Sequence, residues 1–235
     1  MTDVRQLLAV LGDERGAGAA DRLCEACITI LGVDAAAISL VLDGTNTGTL
    51  GASGPAARTM DELQFTMGEG PCLDSVALCT PVLVRDLSAA DHHQWPAYSP
   101  AMLAYDIRGV FALPVLVAGQ YLGSLDLFRS TPGLLNGEQL GDALIVAELA
   151  EMAFLDLLAG DLHAAATNPD SAAWTELNTL SRAEVGQATG VLVAQLEIDP
   201  AVALVRLRAH AFATGRSATE VAHDILDHRL RLEAH

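Results

Sequence analysis

With 235 residues and 51% hydrophobic content, the chain is long enough for one large domain or two modest ones. Its charge is lopsided: 30 acidic residues face 13 arginines and no lysine, for a formal net charge of -17. That balance excludes broad attraction to nucleic acid or anionic membrane but leaves room for a local basic face. No apolar run reads as a membrane helix, and MTDVRQLLAVLGDERG has no basic start leading into an apolar stretch. Cys24, Cys27, Cys72 and Cys79 do not make a disulfide scaffold in a chain of this size, so a reduced, soluble, cytoplasmic protein without membrane contact is expected.

Apolar recurrence predicts a helix over Val4–Gly32, then a strand at Ala35–Leu42 ending in the turn DGTNTG. TGTLGASG reads as the next strand and turn, and Asp61–Phe65 as a short helix followed by an extended piece. MGEGPCLDSVALCTPVLVRDL gives a glycine-rich turn, a short helix and a strand at Pro81–Val84, with a further helix at Tyr98–Tyr105. GVFALPVLVAGQYLGSLDLFRS is the strongest strand signal, two runs about the turn Ala118–Gly119–Gln120. In the second run Tyr121, Gly123, Leu125 and Leu127 share one face, and Leu122, Ser124, Asp126 and Phe128 the other. From Gly137 the period becomes helical to Leu158, and GDLHAAATNPDSAAW reads as a hinge.

Three helices follow, at Arg182–Glu197, Pro200–Thr214 and Ala218–Arg229. Ser181 with Glu184 and Ser217 with Glu220 fit capping boxes, Asp199-Pro200 supplies a cap and a proline start, and Gly215 a stop. Their spacing predicts a core of Val185, Leu192, Val193, Leu196, Val202, Val205, Phe212, Val221, Ile225 and Leu226. The fold class is α+β: an antiparallel sheet with flanking helices over 1–162, a hinge at 163–175 and a helical unit at 176–235. Charge separates the two, with a net of -2 over 176–235 against -15 before it, so the tail is the less repulsive surface for an anionic partner.

Chemistry-bearing patterns are sparse. Cys24-x-x-Cys27 has no second pair at zinc-finger distance and lies in a helical pattern, as packed thiols would. GEGPCLDS lacks the Lys-Ser/Thr of a phosphate loop, and Cys72 beside Asp74 has no recognisable base. His92 and His93, being adjacent, suit a surface loop or a pocket lid better than a joint metal site. Trp95, Tyr98, Phe111 and Tyr121 suit a ligand cavity and aromatic core filling equally. With no paired carboxylates and no Ser-His-Asp order, no enzyme activity, metal or cofactor is expected. In the tail, Arg206 and Arg208 flank Leu207, and Arg182, Arg216, Arg229 and Arg231 are further donors for phosphate oxygens. Composition permits RNA binding there without requiring it, since a solvated face with ordinary ion pairs has the same residues.

Glu184–Leu230 carries Gln187, Ala188 and Gly190, then Ala203, Leu207 and Arg208, then Glu220, Val221 and Ala222. This pattern resembles the ANTAR domain, a three-helix RNA-binding module of bacterial transcription antitermination regulators. MGEGPCLDSV, PVLVRDL, WPAYSPAM and FALPVLVAGQYLGSLDLF, over roughly 20–160, are similar to the GAF domain of actinobacterial GAF–ANTAR proteins, a small-molecule sensory fold. The resemblance implies a homodimeric regulator that binds hairpins in a nascent leader RNA under control of a signal perceived by the GAF domain, with an unknown small molecule as a candidate ligand there. It implies RNA contacts from Arg182, Gln187, Thr189, Arg206, Arg208 and Arg216. Thr189 stands where many ANTAR domains carry lysine. The alternative is a dimerising signalling or protein-interaction scaffold without RNA binding.

Overall fold

The computed structural model describes residues 14–42, 44–157 and 182–233. The 163–175 hinge, the Ser181 half of the first capping box and the first turns of the expected leading helix lie outside the described residues. Helix α1 (Gly16–Leu31) does not continue back through the expected Val4–Gly32 span, because Arg15 before it is extended (φ -137°, ψ 164°); it buries Leu23, Cys24, Cys27 and Leu31 and stops at the left-handed Gly32. Strands β1 (Ala35–Leu42) and β2 (Thr45–Ala52) pair antiparallel. Helix α2 (Pro55–Met67) is longer than expected around Asp61–Phe65, and no extended piece follows Phe65. Pro55 opens it at a position that needs no N–H, and Gly68, with φ of 69°, closes it, so the helix continues between these two signals.

Then come α3 (Pro71–Leu78), β3 (Val82–Val84), α4 (Tyr98–Ala104), β4 (Gly109–Val117) and β5 (Gln120–Arg129). Helix α5 (Gly137–Asp156) begins in a capping box of Asn136 and Gln139. The strands form one antiparallel sheet in the order β2-β1-β5-β4-β3. The period-2 alternation of β5 holds from Gly123 to Phe128, but Leu122 packs with the Leu125 layer rather than on the expected opposite face, beside the register shift at Val115/Leu116. Leu125 and Leu127 join Phe111 and Leu113 under α1 and α5, while Phe128 joins Val110, Tyr98 and Met102 on the other face with α2 and α4. Gly123 is required by the first of these layers, because a Cβ there would collide with the ring of Phe154 on α5.

The tail forms α6 (Ala183–Leu196), α7 (Pro200–Thr214) and α8 (Ala218–Leu226). Asp199 accepts from the Ala201 N–H at 2.8 Å, and the Ser217–Glu220 capping box forms in both directions. The expected core needs correction on α7. Val202, Val205 and Phe212 are 46%, 62% and 57% exposed, and the buried residues are Ala203, Leu207 and Ala211. The reason is close approach: two alanines around one leucine let α6 and α8 pack near the α7 backbone, where Val202, Val205 and Phe212 would hold them apart. Val185, Leu192, Val221 and Ile225 are buried as expected, while Val193, Leu196 and Leu226 are partly buried. Phe65 of α2 belongs to this tail core, so the two units share packing. Among the described residues no single helix is long and apolar enough to cross a membrane; α6 and α7 together have the length and composition but bend by 108° at their junction.

Candidate functional site at the domain interface

Helical spacing puts Asp61, Glu62 and Phe65 on the side of α2 that meets the tail. Asp61 is fully buried and accepts four donors: Ser39 Oγ at 2.5 Å, Asn46 Nδ2 at 2.6 Å, Thr49 Oγ1, and Arg182 Nη2 at 3.1 Å. Arg182, at the N-terminus of α6, is only 6% exposed although it is an arginine. Its Nε donates to Glu62 Oε2 at 2.8 Å, and its Nη1 to the Asn46 carbonyl at 3.1 Å and Asn46 Oδ1 at 2.8 Å. The guanidinium lies over the Phe65 ring, 4.4 Å from its centroid.

Arg208 of α7 lies over the same ring at 4.5 Å. Burial, and then the neighbouring Arg182 charge, hold its pKa below the ordinary arginine value. Its Nε is buried with no acceptor among the described residues. An unmet donor of this kind costs about 1–3 kcal/mol, so this contact is held below its best energy. Helix α8 leans on α2 through its first free amides. Ala218 N–H donates to Thr66 Oγ1 at 3.0 Å, and Thr219 N–H and Oγ1 donate to Glu62 Oε1 at 3.4 and 2.8 Å. A carboxylate at a helix N-terminus is also favoured by the helix dipole. Beside these contacts a cleft of about 830 Å³ runs between the units, with Leu63, Met67, Tyr105, Arg182, Phe212 and Arg216 among its walls.

A polar chain extends from this interface into the sheet. Ser39 Oγ also lies 3.1 Å from Asp126 Oδ2, which accepts from Gln64 Nε2 at 3.0 Å, while Ser124 Oγ donates to Asp126 Oδ1 at 2.7 Å. Burial, then the Asp61 charge, raise the Asp126 pKa to about 7. Gln64 Oε1 holds the Cys72 N–H, and Glu69 Oε1 caps α4 through the N–H groups of Ala97 and Tyr98. Burial pushes the Cys72 thiol well above its ordinary range, as befits a packed cysteine rather than a nucleophile.

The residues expected to meet RNA do not form one open face. Arg182 and Arg208 come together, but on Phe65, because α2 offers a desolvated ring and two carboxylates there. Arg216 pairs with Asp224 at 2.8 Å, Arg206 donates to the Glu233 carbonyl, and Thr189 Oγ1 donates back to the Val185 carbonyl. Gln187 is exposed. The four aromatic pocket candidates do not converge either. Trp95 and Tyr98 meet edge to face at 6.0 Å, with Trp95 Nε1 donating to Asp74. Phe111 packs on the opposite sheet face, since neighbouring strand residues alternate, and Tyr121 stands exposed beside the β4–β5 turn. His92 rests on Trp95 at 5.5 Å while His93 is exposed, so the pair forms no joint site. Asn46, Asp61, Glu62 and Phe65 were missed. The available signal was the placement of Ser39, Ser124 and Asp126 within otherwise apolar strands, which calls for a buried polar partner.

Family models match this architecture: the GAF domain over residues 17–165 and the ANTAR domain over 177–226. The chain belongs to the GAF domain family and carries an ANTAR domain behind it. An ANTAR domain implies an RNA-binding antitermination regulator, and a GAF domain a sensor. Among solved structures, the GAF domain of a phosphoenolpyruvate-protein phosphotransferase from Coxiella burnetii matches with a TM-score of 0.51 at 17% identity, covering 69% of this chain and 94% of its own. The GAF domain of the Acinetobacter phosphoenolpyruvate-protein phosphotransferase matches with a TM-score of 0.50 at 12% identity, covering 72% and 100%. Both are similar in fold alone. No curated protein matches the chain.

Proposed function

We propose that this protein is a non-enzymatic, homodimeric regulator that binds paired hairpins of a nascent leader RNA, and that its GAF domain holds the ANTAR domain in a closed state. One observation carries this reading: Arg182 and Arg208, two of the tail's six arginines, are engaged by Asp61, Glu62 and Phe65 of α2. Two carboxylates and an aromatic ring offer an arginine pair what phosphates and a base would offer. Helix α2 therefore competes with RNA for the same side chains, and a sensory event that loosens it frees them. The exposed face of α7, with Val202, Val205 and Phe212, supports pairing with a second copy, which adds the avidity an acidic chain needs. The test is titration of a two-hairpin leader RNA with the wild type and an Arg206→Ala/Arg208→Ala variant at two salt concentrations. The wild type binds more tightly and loses affinity with salt. Equal binding, or no salt dependence, contradicts the reading and favours a scaffold without RNA binding.

A further inference from the structure

Arg182 sits on the GAF domain as a ligand sits in a receptor. All three of its guanidinium nitrogens meet acceptors: Nε meets Glu62, Nη1 meets both oxygens of Asn46, and Nη2 meets Asp61. The plane stacks on Phe65. The acceptors come from β2 and α2, and Asp61 is itself fixed by Ser39, Asn46 and Thr49, so the GAF domain holds the recess in shape. Such a recess selects for a planar fork. A tetrahedral ammonium directs its hydrogens out of the plane, and urea has no charge to set against Asp61 and Glu62. Arg182 also lines the interdomain cleft of about 830 Å³, which gives a small molecule a route to the recess and room for its stem.

We propose that Asn46, Asp61, Glu62 and Phe65 form a guanidinium-binding site of the GAF domain, filled by Arg182 as a tethered ligand, and that a free alkylguanidinium is the chemical class of effector that displaces it. The site itself rests on this geometry; its role as the release trigger rests on the closed state proposed above. Displacement removes the contact at the start of α6 and lets Arg208 and the first turn of α8 leave α2. Because the tethered group competes at a high local concentration, the wild type binds a free guanidinium weakly, and a chain without Arg182 binds it well.

The experiment is calorimetric titration of the full chain with methylguanidinium, and with methylammonium and urea at the same concentrations. Arg182→Ala binds methylguanidinium at least about tenfold more tightly than the wild type. Neither control compound binds it, and adding Asp61→Asn abolishes the binding. In the wild type, methylguanidinium speeds hydrogen exchange at Ala218 and Thr219, whose amides are held by Thr66 and Glu62. Arg182→Lys, which keeps the charge and the stem, serves if Arg182→Ala does not fold, and it too binds methylguanidinium more tightly than the wild type. Equal affinity of variant and wild type, or equal binding of methylammonium, overturns the site. The titration needs no RNA. If the site binds but RNA affinity is unmoved by methylguanidinium, the closed-state reading fails and the site stands.

Discussion

Ser39 has one hydroxyl hydrogen and two buried carboxylates within reach, Asp61 at 2.5 Å and Asp126 at 3.1 Å. The shorter contact takes the hydrogen, so the longer one is best met by a proton on Asp126. Burial and the Asp61 charge raise Asp126 to about 7, in agreement with that geometry, and Cys72 and Tyr98 are the other titratable groups close by. The sign follows from linkage: below the ordinary carboxylate range both folded and unfolded chains hold this proton. Between there and about 7 only the folded chain holds it, so stability falls as pH rises through the window and levels off above. Urea unfolding at pH 5 and pH 8 is expected to show a loss on the order of 2–3 kcal/mol from this source in the wild type, and little of it in Asp126→Asn. An unchanged pH slope in the variant rules Asp126 out as the source.

At the scale of elements, α7 is the informative one. Both Val202, Val205 and Phe212 and the set Ala203, Leu207 and Ala211 recur at helical spacing, and hydropathy favours the first. The structure buries the second, because the closeness of α6 and α8 rewards small side chains. Leu207→Ala is therefore expected to cost about 2–5 kcal/mol, while Val205→Ala stays within about 0.5 kcal/mol. Chemical denaturation of the two variants checks the difference, and a reversed order would put the wrong face inward. Other elements were legible because their signals are local. The Ser217–Glu220 box, the Asp199-Pro200 start and the alternation of β5 each rest on residues a few positions apart. Helix α2 extends beyond Asp61–Phe65 at both ends because its Pro55 start and Gly68 stop lie outside that stretch.

Across the whole molecule, the missing knowledge was which surfaces meet. The resemblance to GAF and ANTAR domains, and the charge contrast between them, could be read from the sequence. The site could not, because Arg182 finds Asp61 and Glu62 at separations of 121 and 120 residues. No local pattern marks an arginine as buried. The ion pairs matter to the docked arrangement: removing one partner of a buried pair costs about 3–5 kcal/mol, since it strands the other charge. Much of that cost falls on the closed state, where Asp61 and Arg182 are out of water, and less on an open state that hydrates both.

The central claim, that α2 withholds arginines from RNA, is tested most directly by opening the contact without substituting any residue of the tail. A Glu62→Gln/Phe65→Ala variant removes one carboxylate charge and the shared ring while leaving every ANTAR residue in place. Titrated with a two-hairpin leader RNA beside the wild type, it is expected to bind about tenfold more tightly, a gain of about 1.4 kcal/mol, and to lose that gain when Arg208→Ala is added. Equal affinity of the folded variant and the wild type, or a gain that survives Arg208→Ala, would contradict the account.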